Sequence, residues 1–88
     1  MTYTFHDFPE AAYGSGFGYP TDVKYGSVYL GTLINLADGI VIKYVDTPDG
    51  KKSIKPGGTN RFKTQQDAAE TLHKTWAFLR RGQDWSYL

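Results

Sequence analysis

The fold class the sequence predicts is α+β, a small antiparallel sheet packed on one C-terminal helix. Three observations predict it. An apolar stripe at helical spacing runs through residues 64–82, two β-rich runs flank Asp38-Gly39, and a second turn, Thr47-Pro48-Asp49-Gly50, follows the second run. Three strands are expected, or four if residues 1–26 contribute one. At 88 residues the chain makes a single domain. It divides into an aromatic and glycine-rich N-terminal segment (1–26), a β-meander (27–63), the helix (64–82) and a short tail (83–88).

The helix is the most legible element. Thr64 suits the N-cap, and Asp67 three positions on is a capping-box-like partner. Ala69, Leu72, Trp76 and Leu79 recur on one face with Ala68 beside them. Arg80 and Arg81 fall where the helix dipole favours cations, and Gly82 is the expected stop. Phe62 is an anchor ahead of the helix. In the tail, Trp85 is expected to pack back near Phe78.

The runs Ser27–Ala37 and Ile40–Asp46 form a hairpin. A two-residue Asp-Gly turn sets Ala37 against Ile40, Asn35 against Ile42 and Leu33 against Tyr44. Tyr29, Leu33, Ala37, Ile40, Ile42 and Tyr44 then share the face that receives the helix. Val28, Leu30, Thr32, Ile34, Leu36, Val41, Lys43 and Val45 share the other. At the second turn, a three-residue loop pairs Thr47 with Lys51, Val45 with Ser53, Tyr44 with Ile54 and Lys43 with Lys55. The third strand, Lys51–Lys55, reads as a lysine-protected edge.

Residues 1–26 carry half of the aromatic side chains, so the segment is expected to dock. Tyr3 and Phe5 alternate with Thr2, Thr4 and His6 as in a short edge strand, and Phe8–Ala12 suits one helical turn. Tyr13-Gly14-Ser15-Gly16-Phe17-Gly18-Tyr19-Pro20 has the alternating glycines of a phosphate loop. Such a loop needs a helix behind it, and Pro20 opposes one, so an aromatic-glycine surface loop is expected. This segment is expected to cover the apolar half of the second sheet face, leaving the lysine-bearing half open.

Charge narrows the function. The net charge is only +1, but residues 1–22 hold Asp7, Glu10 and Asp22 with no Lys or Arg, while residues 51–63 hold five cations and no acid. No cysteine is present, which removes disulfides and thiolate metal sites and fits a cytoplasmic protein. No apolar run approaches the roughly 18 residues of a membrane span, and the N-terminus lacks a signal-peptide pattern. His6 and His73 are the two neutral-pH acid–base groups, with no Ser–His–Asp order and no His-Glu-x-x-His spacing. No enzyme activity, catalytic residue, cofactor or metal is expected.

From Ile40 to Trp76 the chain reads strand, Asp49-Gly50-Lys51 turn, basic strand, then Arg61-Phe62-Lys63-Thr64-Gln65-Gln66-Asp67-Ala68-Ala69 opening a helix. This layout resembles the AP2-like, arm-type DNA-binding domains at the start of phage tyrosine integrases. The resemblance covers about half the chain, and residues 1–26 have no counterpart in it. It implies three antiparallel strands on one helix and an exposed sheet face that enters the major groove. Lys43, Lys52, Lys55, Arg61 and Lys63 would then be the contacts.

Two binding functions follow. A protein-binding module is the leading expectation, because tyrosine and tryptophan concentrate near the chain ends and suit interfaces. In size and style the chain is similar to phage-encoded regulators or inhibitors that bind a host factor. Nucleic-acid binding is the alternative, with Arg61 able to make bidentate contacts and Gly57-Gly58-Thr59 able to bring backbone N–H groups to a phosphate. A homodimer pairing sheet faces through Val28, Leu30 and Ile34 is compatible with either.

Overall fold

A computed structural model describes residues 2–11, 18–48, 50–53 and 61–81. Five strands, β1 (Tyr3–Asp7), β2 (Tyr19–Tyr25), β3 (Val28–Leu36), β4 (Gly39–Thr47) and β5 (Gly50–Ser53), precede the helix α1 (Gln65–Arg80). The strands form one antiparallel sheet in sequential order, and α1 covers one face. Pro9–Ala11 makes the expected single turn, of 3-10 type. The aromatic-glycine loop over residues 13–17, the stretch Ile54–Thr59 with Lys55, the Gly82 stop and the Trp85 anchor lie outside the described residues.

The predicted architecture holds, with more strands than expected. Tyr3 and Phe5 do form an edge strand, and Tyr19, Thr21, Val23 and Tyr25 alternate with Pro20, Asp22 and Lys24 in an internal strand beside it. That alternation was obscured by the glycines and proline beside it. Neither strand itself lies over the second sheet face, where Ile34 and Val41 are nevertheless buried. They widen the sheet, because Phe5 opposite Val23 and Tyr3 opposite Tyr25 put their apolar sides toward α1.

The helix forms where its stripe demands. Thr64 is extended (φ −132°, ψ 157°), and its Oγ1 accepts the Asp67 N–H at 3.1 Å. Ala68, Ala69, Leu72 and Thr75 are buried, with Trp76 and Leu79 against the core. Facing them are Val23, Leu30, Leu33, Ile42 and Val45. Phe62 exchanges backbone hydrogen bonds with Ile40 and anchors the approach to α1.

Three register expectations need correction. Leu36 pairs with Gly39, Asn35 with Ile40 and Leu33 with Ile42, so the turn is Ala37-Asp38. Gly39 lies at φ +142°, a conformation glycine adopts freely, and opens β4 rather than closing the turn. The shift is two positions in pairing, so Leu33, Asn35, Ile40 and Ile42 keep the predicted face. At the next turn Thr47 pairs with Gly50 instead of Lys51, since Gly50 at φ +115° itself takes the first strand position. Val45 therefore opposes Lys52, and Tyr44 opposes Ser53.

The third correction is a change of face. The β3–β4 ladder jumps from Leu33–Ile42 to Thr32–Tyr44, leaving Lys43 as an extra residue. The β2–β3 ladder jumps from Val23–Gly31 to Lys24–Tyr29, leaving Leu30 extra. Each bulge inverts the alternation beyond it. Leu30 and Val45 thus join the helix side, fully buried, while Tyr29 and Tyr44 turn away. Tyr29 bonds Thr32 at 2.6 Å, and Thr32 donates to Asp22 at 2.8 Å. With Leu30 in the core, the expected homodimer face of Val28, Leu30 and Ile34 does not exist as a surface.

Polar contacts fix the helix direction. Near its start, Gln65 Nε2 donates to Asp7, Thr21 and Asn35 at 3.0–3.2 Å, and Asn35 donates to Thr21. Near its end, Arg80 pairs with Asp46 at 3.1 Å and lies 3.9 Å over the Trp76 ring. Midway, His73 Nδ1 meets the Tyr3 hydroxyl at 3.0 Å. Gln65 is thus level with Asp7 and His73 with Tyr3, and α1 runs antiparallel to β1. No helix among the described residues is long and apolar enough to cross a membrane.

Candidate functional site

The sheet has two edges of different character. On the outer side of β4, β5 holds Lys51 and Lys52, and the Arg61-Phe62-Lys63 backbone continues that edge opposite Ile40. On the far side is β1, whose sequence Tyr-Thr-Phe-His-Asp has no lysine, proline or bulge, the usual devices that block strand addition.

The backbone of β1 has a definite polarity. Phe8 N–H donates to the Pro20 carbonyl, and Gly26 N–H donates to the Thr2 carbonyl. Both pairs belong to the same antiparallel register, so the even-numbered residues of β1 are the ones hydrogen-bonded to β2. The N–H and C=O groups of Tyr3, Phe5 and Asp7 consequently point outward. No described residue pairs with that outer edge.

Beside this edge lies an open groove of about 790 Å³, lined by Tyr3 and by Glu70, His73, Lys74, Ala77, Phe78 and Arg81. The helical residues recur at three- and four-residue intervals and form one stripe next to the core stripe. The groove floor is aromatic. Tyr3 packs on Tyr25 with centroids 5.0 Å apart and edge-on against His73 at 5.7 Å, while His73 stacks on Tyr25 at 4.5 Å. Burial raises the Tyr3 phenol above its ordinary value of 10.0, and the Glu70 carboxylate and the Tyr25 phenol push it the same way. On the other side of β1, Thr4, His6, Phe8, Asp22 and Lys24 line a smaller hollow of about 250 Å³. An added strand would meet a concavity on each side.

The cations singled out from the sequence do not converge in the same way. Lys43 is the bulged residue on the face away from α1, its Nζ 5.4 Å from the Tyr44 ring centroid. Arg61 is exposed and ion-paired with Asp38 at 3.5 Å, and Lys63 is exposed ahead of α1. Lys52 opposes Val45 on the β5 edge, and Lys55 lies outside the described residues. The sequence reading missed Tyr3 and His73 as partners. Alternation marked Tyr3 and helical position marked His73, but their pairing across 70 residues needs the β1 register.

No family model, curated protein or solved structure matches the chain.

Proposed function

We propose that this protein is a small non-enzymatic binding module that takes an extended segment of a protein partner onto β1 as a sixth strand. The supporting observation is the unprotected outer edge of β1, with three outward backbone pairs of groups beside an aromatic groove. Main-chain hydrogen bonds would supply affinity, and the alternating side chains of the added strand would enter the two hollows. The size and aromatic content fit a phage-type regulator or inhibitor of a host factor, and the lack of cysteine fits a cytoplasmic site of action.

Affinity capture from nuclease-treated lysate, followed by amide exchange on the recovered complex, tests the reading. The expected result is one stoichiometric protein that slows exchange at Tyr3, Phe5 and Asp7. Protection confined to Lys43 and residues 61–63 would overturn it.

A second reading, nucleic-acid binding, draws on the alignment of Lys51, Lys52, Arg61 and Lys63 along the opposite edge. It requires an affinity for duplex DNA that falls steeply with salt. Binding that is absent or insensitive to salt removes it.

A further inference from the structure

We infer that the segment received on β1 runs antiparallel to it and delivers a carboxylate beyond Tyr3, to Lys74 and Arg81. This inference rests on the strand addition proposed above and names the chemistry of the ligand.

The first half of α1 runs alongside β1, which sets the ends of the groove. Gln65 touches Asp7 and His73 touches Tyr3. Eight helical residues rise about 12 Å, and four strand residues span about 13 Å, so the two elements stay level along that length. Arg81 lies a further eight residues along α1, about 12 Å beyond His73, where the helix has crossed toward β4 and Arg80 meets Asp46. The groove extends from Tyr3 along Ala77, Phe78 and Arg81.

An antiparallel strand would enter beside Asp7 and leave beside Tyr3. Its C-terminal portion would pass Lys74 and finish near Arg81. Both side chains are exposed, and among the described residues neither forms an ion pair. Its N-terminal portion would pass Asp7 and Glu70. A carboxylate there would be repelled, and an amino group or lysine accepted. A parallel strand carrying its carboxylate at the same chain end would bring it to those acids instead. The charge arrangement therefore selects both direction and chemistry.

A carboxylate can come from an Asp or Glu side chain or from a chain terminus. Four fluorescein-labelled peptides of alternating valine and threonine separate the cases. One ends in a free carboxylate. One is amidated with an aspartate next to its end. One is amidated and uncharged. One repeats the tightest binder with alternate amides N-methylated.

By fluorescence anisotropy on the full chain, one of the first two peptides should bind better than the uncharged one. The preferred peptide identifies the source of the carboxylate. Lys74→Glu combined with Arg81→Glu should weaken that peptide about tenfold, the effect of reversing two exposed charges. Both positions are exposed on α1, so circular dichroism of the variant should match the parent. N-methylation should abolish binding.

Equal binding of charged and uncharged peptides, or an unchanged affinity in the double variant, would overturn the carboxylate inference. Strand addition would still stand if N-methylation abolished that binding. Failure of every peptide, or indifference to N-methylation, would overturn both. A concentration-dependent dimer that resists all the peptides would assign the edge to a second copy of the chain and overturn them as well.

Discussion

A β-carbon on Gly31 would collide with the Tyr44 carbonyl oxygen and come within 2.9 Å of Leu72 Cδ1. The glycine is there because β3, β4 and α1 meet over it, and nothing in its own neighbourhood of sequence says so. Gly31→Ala is expected to cost about 1–3 kcal/mol in chemical denaturation, through displaced backbone and helix. Tyr3 makes a different prediction. Its folded-state pKa lies above the unfolded one, so above about pH 10 the unfolded chain ionises first. Stability from this group is complete below that pH and is lost as pH rises further. Tyr3→Phe has no phenol to ionise, so melting curves of the variant and the parent should converge on the alkaline side. A constant offset across that range would show that the phenol contributes through packing alone. Thr64, Leu72 and Phe62 could be assigned from their own positions in the sequence. Gly31 and the Tyr3–His73 contact could not, because each depends on chain segments distant in sequence.

Among the elements, α1 was readable because its evidence is local: a cap, a stripe and a cationic end within one run of residues. Leu72 is the centre of the stripe and has no exposed surface. Leu72→Ala should cost about 2–5 kcal/mol, read as a lowered denaturation midpoint. Thr64→Ala should cost about 0.5–2 kcal/mol by leaving the Asp67 N–H without its acceptor. An equal loss from both would contradict the division between core and cap. The strands β1, β3, β4 and β5 were readable as strands, β2 was not, and the faces were only partly so. Alternation correctly placed Leu33, Ile40 and Ile42, all of which lie before the bulges. It misplaced Leu30, Val45, Tyr29 and Tyr44, all of which lie at or beyond them. A bulge changes parity at one peptide, and no residue type in Tyr29-Leu30-Gly31 or Lys43-Tyr44 announces it uniquely. Less of the candidate site was legible: Lys52, Arg61 and Lys63 lie along the β5 side, while the groove lies beside β1.

At the scale of the whole molecule, sequential strand order places β3 in the middle of the sheet and leaves β1 and β5 as its edges. Central strands open only with the global transition, whereas edge strands open by local fluctuation. Amide exchange should therefore be slowest at buried β3 positions such as Leu33 and faster in β1. Within β1 the rates should alternate. Thr4 and His6 donate toward β2 and are expected to be protected, while Tyr3, Phe5 and Asp7 donate outward and are expected to exchange rapidly in the free protein. The side chains oppose this trend: Tyr3 and Phe5 pack against the core, whereas Thr4 and His6 are exposed. Side-chain burial alone would predict the reverse order, so the measurement separates backbone pairing from packing as the source of protection. Fast exchange at Tyr3 and Phe5 beside slow exchange at Thr4 and His6 would establish that the outer row of β1 is open to a strand. Slow exchange at all five positions would mean that this row is already paired, and strand addition at β1 would have to be abandoned.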